Sequence, residues 1–229
     1  MTELCKNYKP EILLCPKCKS RLVYKYAVSN KVVHFSSGKT FRIRNLGYGC
    51  PCCEDKAVYV SQTANKLSLK GSIYSTKVNL LIYHLKNQGF SRDAICDMLL
   101  SKGIEMSDRN VDIIYNKVKK LFCIDADISF NNAFQDMLEK YQQINLSIDI
   151  ITINTVVYMV VYNYFNCEIL TIQSFNTTKD PRIKEFLSRY INPNLKIGVI
   201  ASIRKDAYFI PMLRSICPSS TKFIPYQKF

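Results

Sequence analysis

The spacing of apolar and polar residues changes twice along the chain, and these changes divide it into three segments. The first segment contains short β-forming stretches, RLVYKYAV, KVVHF and TFRIRNLGYGC, separated by turn sequences such as SSGK. The second segment has apolar residues at intervals of three and four, which is typical of amphipathic helices. In the third segment, β-branched runs return in the order strand, strand, strand, helix, strand, helix, strand. The changes of spacing predict three domains, at 1–74, 75–124 and 125–229.

Each predicted helix of the middle segment follows a serine. Ser75, Ser91 and Ser107 precede the three apolar-periodic runs, and Gly89 and Gly103 follow the first two. Serine is a favoured helix N-cap because its hydroxyl accepts a hydrogen bond from a backbone N–H that the helix leaves unpaired. Glycine often ends a helix because it tolerates the left-handed backbone conformation. Three short amphipathic helices joined by tight turns predict a helix-turn-helix unit.

A helix-turn-helix unit places the N-terminal residues of its last helix in the major groove of DNA. Arginine and asparagine are side chains that read base edges, and lysines contact phosphates. The candidate DNA-contacting residues of the third helix are therefore Ser107, Arg109, Asn110, Lys117, Lys119 and Lys120. The alternative is a small helical bundle whose basic face is only hydrated.

Two C-x-x-C pairs, Cys15-Pro-Lys-Cys18 and Cys50-Pro-Cys-Cys53, lie on either side of the first β-rich stretch. Two such turns at the ends of hairpins allow four thiolates to converge on Zn²⁺. The stretch between them has too few apolar residues for an independent core, so the metal would contribute folding free energy. The spacing predicts a structural zinc ribbon with Cys15, Cys18, Cys50 and Cys53 as ligands. Cys52 is an alternative to Cys53, and a redox-active pair is the alternative to a metal site.

The ten cysteines are expected to be reduced. The N-terminal sequence MTELCKNYKPEILLCPKC lacks the apolar region of a signal peptide. No segment approaches the roughly 20 apolar residues that span a bilayer. We therefore expect a cytoplasmic protein without a membrane partner, where cysteines bind metal more often than they form disulfides.

The formal net charge is +14, and its distribution is uneven. Residues 1–74 carry 13 Lys and Arg against 4 Asp and Glu, whereas residues 75–125 have a net charge of +2 and residues 126–229 of +3. A basic excess favours a polyanionic partner, nucleic acid first and an acidic membrane surface second. Together with the predicted helix-turn-helix unit, it predicts double-stranded DNA as the partner. No small-molecule substrate is expected.

The third segment begins with an acid in an apolar strand, because NLSIDIITI contains Asp149. A buried carboxylate costs free energy unless it is paired or binds a cation. Asp149 is therefore either a hydrogen-bonded strand residue or part of a cation site.

The order of these motifs resembles that of a known protein family. A four-cysteine ribbon (CPKC…CPCC), a helical segment (KGSIYSTKVNLLIYHLKNQGFSRDAICDMLLSKGIEMSDRNV) and a strand with LSID follow one another. The chain is similar in this respect, over nearly its full length, to prokaryotic insertion-sequence transposases of the DDE type. The resemblance implies a catalytic domain of the ribonuclease-H-like fold. The predicted fold class is multi-domain α+β, with a small β zinc ribbon, a three-helix helix-turn-helix unit and an incomplete ribonuclease-H-like α/β domain.

The same resemblance implies which acids a catalytic site would use. In this family three carboxylates hold two Mg²⁺ ions that activate water or a 3′-hydroxyl for phosphodiester attack. The first acid matches Asp149. The second is expected five residues before the tyrosine of a D-x-x-x-x-Y pattern, and counting back from Tyr208 leads to Ile203. An isoleucine cannot bind a cation, and Asp206, three residues further on, is a weak substitute.

The last stretch, PSSTKFIPYQKF, departs from the family pattern as well. Ile224 or Pro225 and Gln227 replace the usual Cys and His of the corresponding family segment, and no third acid follows before Phe229. The resemblance therefore implies an incomplete DDE site, so that Asp149 is a remnant. A domain that ends early would also leave sheet surface uncovered, and a homo-oligomer is expected for that reason.

The leading hypothesis is a nucleoid-associated, transposase-like protein that recognises element DNA through its zinc ribbon and helix-turn-helix unit and has no strand-transfer activity. One alternative is an active transposase or nuclease that needs Mg²⁺ or Mn²⁺, with Asp206 or another polypeptide completing the site. A second alternative is a zinc-ribbon and helix-turn-helix transcription regulator. A zinc adaptor that binds no DNA is a further alternative.

Overall fold

The computed structural model of this chain describes residues 4–54, 56–202 and 208–225, which form a mixed α/β structure with seven helices and two sheets. The chain separates into two compact units, Met1–Lys120 and Leu121–Phe229. The first unit contains the segments predicted as the ribbon and as the helix-turn-helix unit. Within the described residues, none of the helices combines the length and the apolar character that a membrane span requires.

The first unit starts with a small sheet whose central strand is β3. Strand β1 runs parallel to β3 on one side, and β2 forms an antiparallel hairpin with it on the other. The short strand β4 pairs with the end of β3. The strands and the helix that follows them are β1 (Leu4–Tyr8), β2 (Val23–His34), β3 (Thr40–Gly49), β4 (Val58–Tyr59) and α1 (Gln62–Lys66).

One face of this sheet packs on α1, and the other is open. The sheet contributes Tyr8, Val33 and Ile43 to a buried apolar cluster, which Ala64 of α1 and Leu67 after it complete. The outer strand β2 is mostly exposed, and its pairing with β3 shifts register between Tyr24 and Tyr26 and again between Ala27 and Ser29. These shifts are β-bulges, which bend the strand and increase its twist.

Glu11 attaches the loop after β1 to the start of α1. Its carboxylate accepts hydrogen bonds from the Ser61 hydroxyl at 2.7 Å and from the backbone N–H groups of Gln62 and Thr63 at 3.0 and 2.9 Å. These N–H groups have no partner inside the helix, and the N-terminus of a helix favours negative charge. The carboxylate of Glu11 is therefore fully used in holding α1.

Three helices complete the first unit: α2 (Thr76–Asn87), α3 (Arg92–Leu100) and α4 (Asp108–Phe122). Each starts after the predicted serine. The hydroxyls of Ser75, Ser91 and Ser107 accept hydrogen bonds from the backbone N–H three residues later, at 3.4, 3.2 and 3.4 Å. Gly89 and Gly103 follow α2 and α3 with φ angles of +87° and +75°. The helix limits that these residues predicted are confirmed.

The sheet and the helices of the first unit are connected at two places. The backbone of His34, at the end of β2, exchanges hydrogen bonds with Ile73 and Ser75 just before α2. The hairpin turn between β2 and β3 packs on the turn between α3 and α4, where Gly38 approaches the carbonyl of Lys102. A hydrogen bond from the Tyr74 hydroxyl to the Glu105 carbonyl, at 3.1 Å, joins the same regions.

The second unit has a five-stranded sheet in the order β7-β6-β5-β8-β9. The first three strands along the chain are antiparallel neighbours, and β8 and β9 are parallel to β5. The elements follow in the predicted order and are β5 (Ile144–Ile153), β6 (Val156–Asn163), β7 (Ile169–Phe175), α6 (Pro181–Tyr190), β8 (Ile197–Ser202), α7 (Phe209–Arg214) and β9 (Lys222–Pro225). A further helix, α5 (Ala126–Tyr141), precedes them.

The two faces of this sheet differ in chemistry. One face is apolar, and its side chains form one core with residues of α5, α6 and α7. This core includes Phe130, Met137, Ile144, Leu146, Ile148, Met159, Val161, Ile183, Leu187, Ile200, Phe209 and Leu213. The opposite face carries the buried polar side chains of Asn145, Ser147, Asp149, Tyr158 and Tyr162. Successive side chains of β5 and β6 point to opposite faces of the sheet, and this separates the apolar side chains from the polar ones.

We expect Gly38→Ala to destabilise the first unit much more than Gly89→Ala. Both glycines have positive φ, so both substitutions carry the backbone cost of about 1–2 kcal/mol for a left-handed residue with a Cβ. A Cβ at residue 38 would lie 2.2 Å from the Lys102 carbonyl oxygen, whereas nothing lies within 4 Å of one at residue 89. Urea unfolding followed by circular dichroism measures both losses, and equal losses would contradict the close contact.

Candidate functional site

The structure brings the four predicted cysteines of the first unit together. The Sγ atoms of Cys15, Cys18, Cys50 and Cys53 all lie within 4.8 Å of one another. The Cys15–Cys53 and Cys18–Cys50 separations are 3.7 and 3.4 Å. A Zn–S bond of about 2.3 Å in a tetrahedron gives sulfur–sulfur distances of about 3.8 Å. The cluster is therefore compatible with a bound structural zinc ion.

Local backbone structure explains why the cysteines converge. The first pair lies in a turn closed by hydrogen bonds from Cys15 N–H to the Ser20 carbonyl and from Lys19 N–H to the Cys15 carbonyl, with Lys19 at φ +63°. The second pair follows directly after β3. There the N–H of Cys52 points at the Cys50 sulfur at 3.4 Å, and its own side chain is exposed and outside the cluster.

The four thiols influence one another's protonation. Hydrogen bonds from the hydroxyl and the backbone N–H of Ser20, and then from Cys50, lower the pKa of Cys18 to about 6. Hydrogen bonding to Cys18 and Cys50 and burial raise the pKa of Cys53. Four neighbouring thiols cannot all become thiolates without a cation to offset the repulsion. A divalent metal that prefers sulfur fits this donor set.

The second candidate site is helix α4, which has one buried and one exposed face. Val111, Ile114 and Val118 are buried. The predicted DNA-contacting residues Ser107, Arg109, Asn110, Lys119 and Lys120 are all exposed. Lys117 is half-buried.

Sequence reasoning missed two exposed residues of the same helix, Ile113 and Asn116. Together with Arg109 and Lys120 they lie at intervals of four, three and four residues, which places all four on one side of a helix. We call this set, Arg109, Ile113, Asn116 and Lys120, the α4 strip. In the sequence, helical spacing from Arg109 was the feature that could have identified Ile113 and Asn116. Ile113 is 53% exposed, although apolar residues of an ordinary helix face the core.

Polar contacts hold α4 against the two preceding helices. Asp112 forms ion pairs with Lys86 of α2 at 3.4 Å and with Arg92 of α3 at 3.1 Å. The Tyr115 ring stacks on Tyr83 with 5.7 Å between centroids. Asp112 lies on the side of the helix next to the α4 strip and Tyr115 lies further round, so the strip stays exposed while the helix is held.

Lys117 differs from the other two lysines predicted to meet phosphates. Its ammonium donates a hydrogen bond to the backbone carbonyl of Lys70, and partial burial lowers its pKa. The side chain therefore joins α4 to the turn that precedes α2. Lys119 and Lys120 extend from the last turn of the helix into solvent.

Asp149, the predicted first acid, lies in the middle of β5 and is buried. It faces the polar side of the sheet, opposite Val160 and two residues from Ser147. Burial, and to a lesser extent the charge of Asp149, raises the pKa of the Tyr162 hydroxyl well above its ordinary value.

Ile203, Asp206 and Gln227 lie outside the described residues. Among the residues that the structure describes, the four cysteines are the one group of three or more His, Cys, Asp or Glu side chains close enough to hold a metal ion. The interpretation of Ile203 and Asp206 therefore stays a prediction.

Comparison with known proteins gives no assignment, because no protein-family model matches the chain and no curated protein matches it significantly. A functional assignment therefore depends on the residues and geometry described above.

We expect Cys53→Ser to lose bound zinc and Cys52→Ser to keep it. The Cys53 sulfur is part of the cluster, whereas Cys52 contributes only its backbone N–H. A serine hydroxyl is a much weaker zinc ligand than a thiolate. Elemental analysis of the purified chains gives the zinc content directly. Loss of zinc from Cys52→Ser but not from Cys53→Ser would contradict the ligand set.

Proposed function

We propose that this protein binds double-stranded DNA through helix α4, as a transposase-like protein of an insertion sequence without strand-transfer activity. The observation that carries the proposal is the two-sided helix α4. Its apolar side is buried in the first unit, and the α4 strip exposes arginine, asparagine and lysine. Arginine can read guanine and asparagine adenine in the major groove.

The distribution of charged residues also favours double-stranded DNA as the partner. The α4 strip contains no acid, and Asp112, on the adjacent side of the helix, is paired with Lys86 and Arg92. Lys119 adds positive charge at the end of the helix, where it would meet phosphates. The segment before the helices contributes most of the net positive charge of the chain. Such a distribution favours a polyanion over a neutral partner.

The four-cysteine cluster has a structural part in the proposal. When Zn²⁺ is bound, it crosslinks the turn before β2 to the turn after β3. Cys15 and Cys50 pack on Leu22, with Tyr48 and Tyr59 beside them. These side chains exclude water from part of the cluster and hold the thiols in place. The zinc-stabilised sheet would in turn support α2, because His34 at the end of β2 is bonded to Ser75.

The transposase-like assignment of the second unit is supported by its sheet. Three antiparallel strands are followed by two parallel strands with helical connections, and this order is compatible with the ribonuclease-H-like domain that the resemblance implies. Asp149 lies on the first of these strands, where the resemblance implies the first acid. A pair of metal ions needs several carboxylates, and the position implied for the second acid is Ile203. We therefore propose that the unit retains its framework and not its phosphoryl-transfer chemistry.

Arg109→Ala should weaken specific DNA binding by about 1–3 kcal/mol, because the side chain would lose paired hydrogen bonds to a base. The affinity should fall for the preferred site much more than for random duplex. The site is first selected from a random duplex library and then measured by fluorescence anisotropy. Arg189→Ala, a matched exposed arginine on α6, is the control and should leave both affinities unchanged. An unchanged footprint of Arg109→Ala would remove α4 from the proposed interface.

With terminal sequences that flank the gene and with Mn²⁺ or Mg²⁺ present, the protein should shift DNA without nicking it. Gel electrophoresis under native and denaturing conditions measures both properties in one sample. Nicking that disappears in Asp149→Asn would establish an active enzyme and would move the search for further acids to Asp206 and to partner chains. Binding without nicking, unaffected by Asp149→Asn, is the expected result.

A further inference from the structure

Helix α4 exposes one large apolar side chain on its polar side. Ile113 is 53% exposed, although the helix already buries Val111, Ile114 and Val118 on its opposite side. Isoleucine is also a weaker helix former than alanine or lysine, because its branched side chain loses rotamer freedom in a helix. Neither core packing nor helix stability therefore accounts for an isoleucine here. Single exposed apolar residues are common on protein surfaces, so it is the position of Ile113 that is informative.

The surroundings of Ile113 on the helix are polar. Residues three and four positions apart are neighbours on a helix surface, and those of Ile113 are Arg109, Asn110, Asn116 and Lys117. A protein interface is centred on a cluster of apolar or aromatic side chains, and membrane insertion needs an apolar helix face. One isoleucine among four polar residues provides neither of these.

The spacing of the α4 strip places Ile113 between two side chains that can read bases. With a rise of 1.5 Å per residue, Ile113 lies about 6 Å along the helix from Arg109 and about 4.5 Å from Asn116. A helix in the major groove that brings Arg109 and Asn116 to base edges also brings Ile113 into the groove, because Ile113 lies between them on the same side. Base pairs are about 3.4 Å apart, so the three side chains together cover about four base pairs.

The chemistry of the major groove then restricts what Ile113 can contact. Guanine, adenine and cytosine present hydrogen-bonding groups there, and the thymine C5-methyl is the apolar group that a base pair presents. An isoleucine side chain has no hydrogen-bonding group. Over a polar base edge it would remove water from donors and acceptors without replacing the lost hydrogen bonds, which costs free energy. Over a thymine it would bury one methyl group against another apolar group.

We propose that Ile113 selects a thymine in the recognised DNA by contacting its 5-methyl group. The inference rests on the proposed function, because it requires α4 to enter the major groove, and it specifies what that helix recognises. The thymine lies about two base pairs from the pair that faces Arg109 and about one from the pair that faces Asn116. Ile113 is therefore a specificity-determining residue between two hydrogen-bonding ones.

The test removes the methyl group from the DNA and leaves the base pair otherwise unchanged. A preferred site is selected from a random duplex library, and each of its thymines is replaced in turn by uracil, which lacks the 5-methyl group and keeps the same hydrogen-bonding groups. Fluorescence anisotropy measures the affinity of the full-length, zinc-loaded protein for each duplex. Replacement of the contacted thymine should weaken binding about fourfold, the factor that corresponds to one buried methyl group.

The matching change in the protein is Ile113→Ala. Alanine favours the helix and leaves the core unchanged, so circular dichroism and zinc content should match those of the wild-type protein. The variant should bind the thymine duplex less tightly than the wild-type protein does and should bind the uracil duplex as tightly as the thymine duplex. The double-mutant cycle should therefore give a coupling of about fourfold between Ile113 and the methyl group.

Ile128→Ala is the matched control. Ile128 is an isoleucine of α5 in the second unit and is 60% exposed. This variant should keep the wild-type affinity and the fourfold preference for the methylated base, because Ile128 lies on a different helix. Loss of the preference in Ile128→Ala would show that the effect does not come from a contact of Ile113, and the inference would be wrong.

The remaining outcomes separate this inference from the proposed function. If the wild-type protein binds its selected duplex and no uracil replacement weakens binding, the thymine contact is wrong and DNA binding by α4 stands. If a uracil replacement weakens binding of Ile113→Ala as much as that of the wild-type protein, another side chain contacts the methyl group and the inference is again wrong. If the wild-type protein binds no duplex, both proposals fail.

Discussion

The N-terminal unit depends on four thiols from two distant turns being held within 4.8 Å of one another. The sheet beside them packs on α1 through a cluster of only five buried side chains, of which the larger contribute about 1.5–3 kcal/mol each. A structural zinc ion contributes about 10–16 kcal/mol of apparent binding free energy in small domains of this kind. A bound metal would therefore contribute a stabilisation comparable to that of the whole apolar cluster. The two cysteine pairs lie just before β2 and directly after β3, so that a bound metal would join the two ends of this hairpin.

Backbone contacts connect the β2–β3 hairpin to the helices of the same unit. The far end of β2 is bonded to the residues before α2, and its turn packs on the turn before α4. These contacts bring backbone atoms close together, so a residue with a larger side chain would not fit easily at these positions. Asp112 and Tyr115 then hold α4 against α2 and α3 and leave the α4 strip exposed. The sheet beside the four cysteines and the helices, α4 among them, thus form one compact unit.

Much of this arrangement is local and was predictable from sequence. Cysteine spacing predicted the cluster, and serine and glycine predicted the helix limits, because both signals act within a few residues. Helix α5 was missed, although Phe130, Ala133 and Met137 recur at intervals of three and four. Long-range features were not predictable. The capping of α1 by Glu11 and the bond from Lys117 to Lys70 join residues 47 to 52 positions apart.

The bulges in β2 have a consequence for how copies of the protein behave at high concentration. β2 lies at the edge of its sheet, and a long regular edge offers a row of backbone donors and acceptors to any other strand. Tyr24 and Tyr26, both more than half exposed, would make such an edge adhesive. Two interruptions of the regular pairing nearby bend the strand and break the row. Exposed tyrosines on β2 are therefore compatible with a sheet that does not pair edge to edge with the sheets of other copies.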